Sequence, residues 1–280
     1  MDHFVFKRVD VEAAALDGYS RLFSACFPGR SKLTVEYLRW LYSLNPDGGA
    51  IGYDAFSEGR LAAHYIVVPI VFSLADGREL KGCWSLNTAT HPDFQGKGLF
   101  IKLAEKTYET AEREGCDFVV GVANQNSTSG FLRRLGFANI GQLATEIGYF
   151  RIELDERGRG WRRRWNPSVM SWRLKNPSAS YKVIRQGASA VVLRPVMHGI
   201  VNMQLGDFPS DYFRETDTSI VQSMLPSVRV SFGLLSNGLV VDVPKRLMPS
   251  PWNVIFRQLG PKQVVVPAEI RMIGLDLDTF

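Results

Sequence analysis

The spacing of hydrophobic positions along the first 150 residues changes repeatedly between the period of a helix and that of a strand. Spacings of three and four predict helices, while runs of β-branched and aromatic residues between turn signals predict strands. In chain order, the predicted elements are helices over 18–27 and 34–44, strands over 53–56, 61–74 and 80–90, a helix over 99–114, a strand over 117–122, a helix over 127–135 and a strand over 142–150. This order predicts an α/β layered fold.

The longest predicted helix has one continuous apolar face, which predicts that it packs on a sheet. Gly115 follows it as a helix terminator. The Asp76-Gly77 pair predicts a tight antiparallel hairpin between the second and third strands. The apolar face consists of Leu99, Leu103, Ala104 and Tyr108.

The second half of the chain resembles the first in its pattern. Residues 153–167 have charge, glycine and proline without apolar periodicity, so we predict a domain over 1–152, a basic linker over 153–167 and a second, smaller domain over 168–280. Four residues recur in type and order: Trp40, Asn45, Pro46 and Tyr53 are matched by Trp172, Asn176, Pro177 and Tyr181. Three strand-like runs and a helical piece over 219–224 follow the second set. We interpret 168–280 as a degenerate copy that closes one wall of a ligand pocket between the two copies.

The net charge of +5 is distributed unevenly along the chain. Residues 1–150 have a net charge of −2, residues 151–165 of +3 and residues 166–280 of +4. The five arginines between Arg157 and Arg164 lie near Trp161 and Trp165, a combination that can bind phosphates or stack on bases. A solvated linker is the other interpretation, and it leads us to expect no nucleic-acid partner. An acidic partner stays open.

Composition excludes several classes. With 45% hydrophobic residues the chain can bury a core, and its longest apolar run, Tyr65–Phe72, is far shorter than the roughly 20 residues of a membrane span. The N-terminus has no signal-peptide pattern. The three cysteines have neither disulfide-framework nor zinc-site spacing. We expect a cytoplasmic protein with reduced cysteines, no membrane span and no metal.

The segment Leu86–Phe100 is the strongest candidate for a binding site. A predicted strand leads into a glycine-containing turn that opens the longest helix, so several backbone N–H groups and the positive end of the helix dipole point the same way. Gly96 and Gly98 let the backbone approach a ligand closely, and Lys97 adds a positive charge. The pattern predicts a site for a phosphate or diphosphate.

Two motifs in this half occur together. Gln95-Gly96-Lys97-Gly98-Leu99-Phe100 opens the long helix, and Asn126 precedes a short helix that ends in Leu135-Gly136-Phe137. In this order they resemble the GNAT superfamily of acyl-CoA-dependent N-acyltransferases, over about residues 5–150. The resemblance implies an α+β fold with a mixed, mostly antiparallel sheet flanked by helices.

The resemblance also implies a reaction and its site. An amine, from a small molecule or a peptide, attacks the thioester of acetyl-CoA or a longer acyl-CoA directly, and the end of the third strand polarises the carbonyl through a backbone N–H. The residues implied to bind the cosubstrate are Thr88, Ala89, Thr90, Gln95, Gly96, Lys97, Gly98, Leu99, Phe100 and Asn126.

Two positions depart from the family pattern. Phe100 replaces a small residue in the diphosphate loop, and Leu132 stands where a tyrosine often protonates the departing thiolate. The candidate catalytic residues are therefore Asn87 and Thr88, which would orient the substrate or a water, and His64 as a base. A core histidine bonded to backbone is the other interpretation of His64.

Three alternatives stay open. Phe100 and Leu132 favour a non-catalytic acyl-CoA-binding sensor or scaffold. The basic stretch is compatible with an acyl carrier protein as the acyl donor. The same arginines are the only support for docking on RNA.

Overall fold

The computed structural model describes residues 3–29, 32–74, 76–148, 160–196, 198, 200–214, 216, 220–221, 228–233, 241–243, 252–260 and 270–277. The chain forms two compact units, each assembled from separate stretches. The first unit combines residues 1–71, 80–139 and 254–265. The second combines residues 72–79, 140–253 and 266–280.

The first unit contains four helices and one sheet among the described residues. The helices are α1 (Ala13–Cys26), α2 (Val35–Ser43), α3 (Leu99–Arg113) and α4 (Gln125–Arg134). The strands of this sheet are β1 (Val5–Arg8), β2 (Ile51–Ser57), β3 (Arg60–Ser73), β4 (Glu79–Thr90), β5 (Phe118–Ala123), β6 (Ala138–Gln142) and β15 (Asn253–Gln258). They lie in the order β1-β2-β3-β4-β5-β15-β6.

The pairing confirms a mixed α/β fold. Strands β1 and β2, and β2 and β3, pair antiparallel, whereas β4 and β5 pair parallel. The predicted turn at Asp76-Gly77 is confirmed: Gly77 has φ +84°, and the Leu74 amide donates to the Arg78 carbonyl at 2.9 Å. The hairpin sequence therefore sets the connection between β3 and β4.

Helices cover both faces of this sheet. The predicted apolar face of α3 is confirmed, because all four of its residues are buried in one core cluster. On β3, Tyr65 contacts Tyr108 of α3, while its neighbour His64 contacts Tyr19 of α1 and Tyr42 of α2. Successive strand residues point to opposite faces, so α3 and the pair α1 and α2 lie on opposite sides of β3.

The second unit has a smaller helical part. Its one described α-helix is α5 (Pro167–Leu174), capped by Asn166, which accepts from the Val169 amide at 2.9 Å. Its strands are β7 (Ala144–Gly148), β8 (Trp161–Arg163), β9 (Lys182–Gln186), β10 (Ser189–Val196), β11 (Val201–Pro209), β12 (Ile220–Val221), β13 (Val228–Gly233), β14 (Val241–Asp242) and β16 (Ile270–Arg271). Seven of them form a sheet in the order β12-β9-β10-β11-β13-β7-β14.

The residues of the sequence repeat occupy matching local structures. Asn45 follows α2 and accepts from the Asp47 amide at 3.2 Å, and Asn176 follows α5 and accepts from the Ser178 amide at 2.9 Å. In each unit three strands follow this asparagine, and the third of them pairs parallel with a later strand. The parallel pair is β4 with β5 in the first unit and β11 with β13 in the second. That the second unit is a degenerate copy stays a prediction.

Several sequence boundaries differ from the structure. Residues 138–142 form β6, and the strand predicted over 142–150 is β7, which pairs with β13 and β14. In the first sheet, β15 lies between β5 and β6. It pairs with the edge of β5, which would otherwise present unpaired backbone groups. The helix predicted over 219–224 is wrong at its two described residues, because Ile220 and Val221 form strand β12. Within the predicted linker over 153–167, residues 153–159 lie outside the described residues.

Candidate active site

Two glycines in a left-handed backbone conformation shape the connection between β4 and α3. Strand β4 ends at Thr90, a 3₁₀ turn covers Pro92–Phe94, and α3 begins at Leu99. Gly96 has φ +76° and Gly98 has φ +72°. A Cβ is unfavourable in that region, so the turn itself requires glycine at these positions.

The first turn of α3 lies beside open space. Gly98 is the N-cap of the helix and has no side chain that could accept from the N–H groups of the first turn. A Cβ placed on Gly96 or Gly98 would meet no heavy atom within 4 Å in the part of the chain that the structure describes. An anion at this place would gain both the N–H donors and the positive end of the helix dipole.

A cavity of about 320 Å³ lies beside the turn, within the first unit. Its wall is formed by the end of β4, the C-terminus of α1 and residues of α3 and α4. The lining residues are Cys26, Phe27, Thr88, Ala89, Thr90, Gln95, Phe100, Ser127 and Gly130. Apolar walls with a few polar groups suit a flexible chain of methylenes and amides, which is the chemistry of a pantetheine arm.

Strand β4 leaves β5 before it ends. Their register runs from Gly82 and Phe118 to Ser85 and Gly121, whereas β4 continues to Thr90. Asn87 has φ +42°, which interrupts the regular pleat of β4. The interruption directly precedes Thr88, the first residue of β4 that lines the cavity.

The structure brings half of the predicted cosubstrate residues to the cavity. Gly96, Lys97 and Gly98 are exposed at the turn, and Leu99 is buried in the core, so its side chain is not available to a ligand. The predicted residues that line the cavity are Thr88, Ala89, Thr90, Gln95 and Phe100.

Lys97 is held beside two aromatic rings. Its Nζ lies 5.4 Å from the ring centroid of Phe94 and 5.9 Å from that of Phe4. Cation–π attraction thus keeps the ammonium near the turn while leaving it exposed to solvent. A positive charge at this place favours an anionic ligand.

Phe100 fills the space between α3 and α4. Its ring meets Phe131 and Tyr65 edge to face, with centroids 5.2 and 5.9 Å apart. A Cβ on Gly130 would lie 3.1 Å from the Phe100 ring. The bulky residue is therefore accommodated by a glycine of α4, and it narrows the cavity without closing the turn.

The second motif gives less information about the site. Asn126 lies in α4, and its side chain lies outside the described part of the structure. Leu132, at the position of the usual tyrosine, is half-buried and packs against the core cluster. It does not line the cavity, so this position contributes no proton donor there.

His64 does not reach the cavity. Its side chain is fully buried, with Nδ1 2.6 Å from Asp54 Oδ1 and Nε2 2.8 Å from the Tyr42 hydroxyl. His64 is therefore buried away from the cavity, where a base in contact with a ligand would have to lie, and its partners are side chains rather than the backbone groups of the alternative interpretation. Of the other two catalytic candidates, Thr88 lines the cavity and Asn87 does not.

Four lining residues were missed by sequence reasoning. Ser127 and Gly130 are three positions apart on α4, so helical spacing could have placed them on one face. No sequence pattern marks Cys26 and Phe27 as cavity residues, because their position depends on where α1 ends relative to β4. The Cys26 thiol donates to the Thr90 carbonyl at 3.3 Å, and burial raises its pKa.

Two of the arginines in the basic stretch have partners within the second unit. Arg163 is buried, and its guanidinium lies 4.9 and 5.6 Å from the ring centroids of Trp165 and Trp172. Arg164 pairs with Glu79 at 2.8 Å. Arg157 and Arg159 lie outside the described residues. These contacts provide no support for a surface that docks an acyl carrier protein.

The part of the chain that the structure describes has neither a metal-binding cluster nor a membrane-spanning helix. No three His, Cys, Asp or Glu side chains there are grouped closely enough to hold a metal ion. Among the helices of the same residues, none combines the length and the hydrophobicity of a membrane span.

Residues 10–140 match the family model of an acetyltransferase (GNAT) domain. No curated protein sequence matches the chain.

Solved structures share the fold at low sequence identity. A GCN5-related N-acetyltransferase from Kribbella flavida has a TM-score of 0.62 at 11% identity, covering 91% of this chain and 71% of that one. A probable N-acyltransferase from Enterococcus faecalis V583 has a TM-score of 0.60 at 11% identity, covering 92% and 73%. Eis1 from Mycobacterium abscessus has a TM-score of 0.60 at 12% identity, covering 91% and 73%. The glycine turn, the mixed sheet and the family match together show that residues 10–140 are a GNAT acetyltransferase domain.

Proposed function

We propose that the protein transfers an acyl group, most simply acetyl, from acyl-CoA to an amine. The observation that carries the proposal is the left-handed Gly96–Gly98 turn, which opens the N-terminus of α3 to solvent directly beside the cavity. A diphosphate placed at the turn would leave its pantetheine arm within reach of the end of β4.

The turn would bind the diphosphate through main-chain N–H groups. Such donors are fixed before the ligand arrives, and the dipole of the helix adds to their effect. Lys97 would add an exposed positive charge. Thr88, Ala89 and Thr90 would border the pantetheine arm and the thioester.

The reaction needs no covalent enzyme intermediate. The amine nitrogen forms a bond to the thioester carbonyl carbon, and the C–S bond breaks. The nitrogen loses one proton and the departing CoA thiolate takes one up, so the products are an amide and the CoA thiol. The β4 segment that leaves β5 would donate a backbone N–H to the carbonyl oxygen, where negative charge develops. The cavity would supply proximity by holding the thioester in one position.

A second function is favoured by one observation. None of the tyrosines that the structure describes lines the cavity, and Leu132 occupies the position of the usual proton donor. A protein that binds acyl-CoA without transferring the acyl group, as a sensor or scaffold, would have this arrangement. The acceptor, whether a small-molecule amine or a peptide, and the location in the cell stay predictions.

Acetyl-CoA at about 100 times its dissociation constant is expected to stabilise the native protein by about 2.7 kcal/mol. For a chain of this size, that gain corresponds to a rise of roughly 5–10 °C in Tm. Transfer is measured as release of the CoA thiol with an amino sugar, a polyamine and a peptide as acceptors. A rise in Tm together with amine-dependent thiol release supports the transferase.

The other outcomes discriminate between the candidates. A rise in Tm without thiol release for any amine would select the sensor. If neither acetyl-CoA nor longer acyl-CoAs raise Tm, both functions are contradicted.

A further inference from the structure

A line of hydrogen-bonded side chains is buried on the face of β3 opposite α3. Asp54 of β2 bonds His64 Nδ1 at 2.6 Å, and His64 Nε2 bonds the Tyr42 hydroxyl at 2.8 Å. All three side chains are almost fully buried. The arrangement joins an acid, an imidazole and a hydroxyl, but none of them lines the cavity.

This line of side chains runs from Asn87, directly before the cavity residues of β4, to Tyr19 of α1. Asn87 Nδ2 donates to the Tyr42 hydroxyl at 3.2 Å. At the far end, the Tyr19 hydroxyl donates to Asp54 Oδ2 at 2.6 Å and accepts from the Asp10 amide at 3.1 Å. Asn87 is therefore the member that connects the buried groups to the end of β4.

The direction of each hydrogen bond follows from the groups present. An ionised Asp54 only accepts, so His64 donates from Nδ1 and accepts at Nε2. The Tyr42 O–H then donates to Nε2, which leaves the phenol oxygen to accept from Asn87. Burial raises the pKa of Tyr42, so the phenol keeps its proton and acts by orientation. In this assignment the O–H groups of Tyr19 and Tyr42 and the Nδ1–H of His64 each have an acceptor.

The backbone of Asn87 changes which face of the sheet its side chain uses. Ser85 bonds Tyr65 on the α3 face, and a residue two positions later should point the same way. Asn87 instead bonds Tyr42 on the opposite face. Its φ of +42° accounts for the reversal, and asparagine tolerates this region better than most residues do.

We propose that Asp54, His64 and Tyr42 are positioning residues that hold Asn87 in its left-handed conformation and thereby fix the start of the Thr88–Thr90 segment at the cavity. The inference rests on the proposed function, because the segment matters as the edge that faces the thioester. The buried line touches no reacting atom, and its effect passes through the Asn87 side chain.

Tyr42→Phe removes the hydroxyl that links His64 to Asn87. We expect kcat for amine-dependent thiol release to fall about 10- to 100-fold, because the Thr88–Thr90 segment would be misplaced. The KM for acetyl-CoA should stay within about twofold of the parent value. Tyr53→Phe is the matched control, since it also deletes a phenol hydroxyl with a side-chain partner, Thr110, but has no hydrogen bond to this line. The Tyr53→Phe variant should have the same kcat and the same KM for acetyl-CoA as the parent protein.

Asn87→Gly tests whether the effect passes through Asn87. Glycine permits a positive φ but lacks the side chain, so Tyr42→Phe should cause no further loss of kcat in an Asn87→Gly background. Independent losses that multiply would overturn the proposal, as would a Tyr42→Phe variant in which only KM changes.

Amide hydrogen exchange provides a test that does not require activity. In Tyr42→Phe, exchange within residues 86–90 should be at least tenfold faster than in the parent protein. Faster exchange in Tyr42→Phe, combined with a parent protein that binds no acyl-CoA, would contradict the proposed function and leave the positioning role standing. Unchanged exchange would overturn the positioning role whatever the activity.

Discussion

Acetyl-CoA is expected to bind a Gly98→Asp variant about 100-fold more weakly than it binds the parent protein. The new carboxylate would lie at the N-cap of α3, where we place the diphosphate. Two like charges about 5 Å apart repel by roughly 3 kcal/mol at an effective dielectric constant of 20, which corresponds to about two orders of magnitude in affinity. Titration calorimetry measures the loss.

Gly98→Asn separates charge from backbone strain. Gly98 has φ +72°, and asparagine and aspartate both tolerate this region better than other residues do. Their side chains are nearly the same size, and the space beside Gly98 is open. The asparagine variant should bind acetyl-CoA within about fivefold of the parent. Equal losses in both variants would show that geometry, not charge, is responsible, and no loss in either would place the diphosphate elsewhere.

Replacement of Asp54 by alanine is expected to lower the free energy of unfolding by about 3–5 kcal/mol. Asp54 accepts from Tyr19 and from His64, and its side chain is 3% exposed. Alanine would leave both donors buried without an acceptor. Each buried donor would then lose its hydrogen bond while still lacking the hydration it has in the unfolded chain. Urea unfolding measures the change at constant pH.

Asp93→Ala is the control for that result. Asp93 also pairs with a basic side chain, Arg60 at 2.9 Å, but its side chain is 57% exposed. An exposed pair contributes at most about 1 kcal/mol, so this variant should unfold close to the parent. Similar losses for the two variants would contradict the role assigned to burial around His64.

Features set by neighbouring residues were predictable from the sequence. The apolar face of α3 follows from its spacing, and the glycine turn follows from Gly96 and Gly98 within one short segment. Thr34, a residue type that favours the N-cap, caps α2 by accepting from the Tyr37 amide at 3.2 Å. Each of these is decided within a few residues of chain.

Features that depend on distant partners were not predictable. His64 obtains its role from Asp54 and Tyr42, which lie on two other elements, and Asn87 is 45 positions from Tyr42. The strand next to β5 comes from residues 253–258, which no local pattern connects to it. A strand pattern predicts an extended segment and not its neighbour in the sheet.

The most direct test of the account compares acetyl-CoA with S-acetylpantetheine, which has the thioester and the arm but no phosphate. If the main-chain amides of the Gly96–Gly98 turn bind a diphosphate, calorimetry should show acetyl-CoA binding at least about 30-fold more tightly, and Gly98→Asp should remove most of that difference. Equal affinities of the parent protein for the two ligands would contradict the central claim.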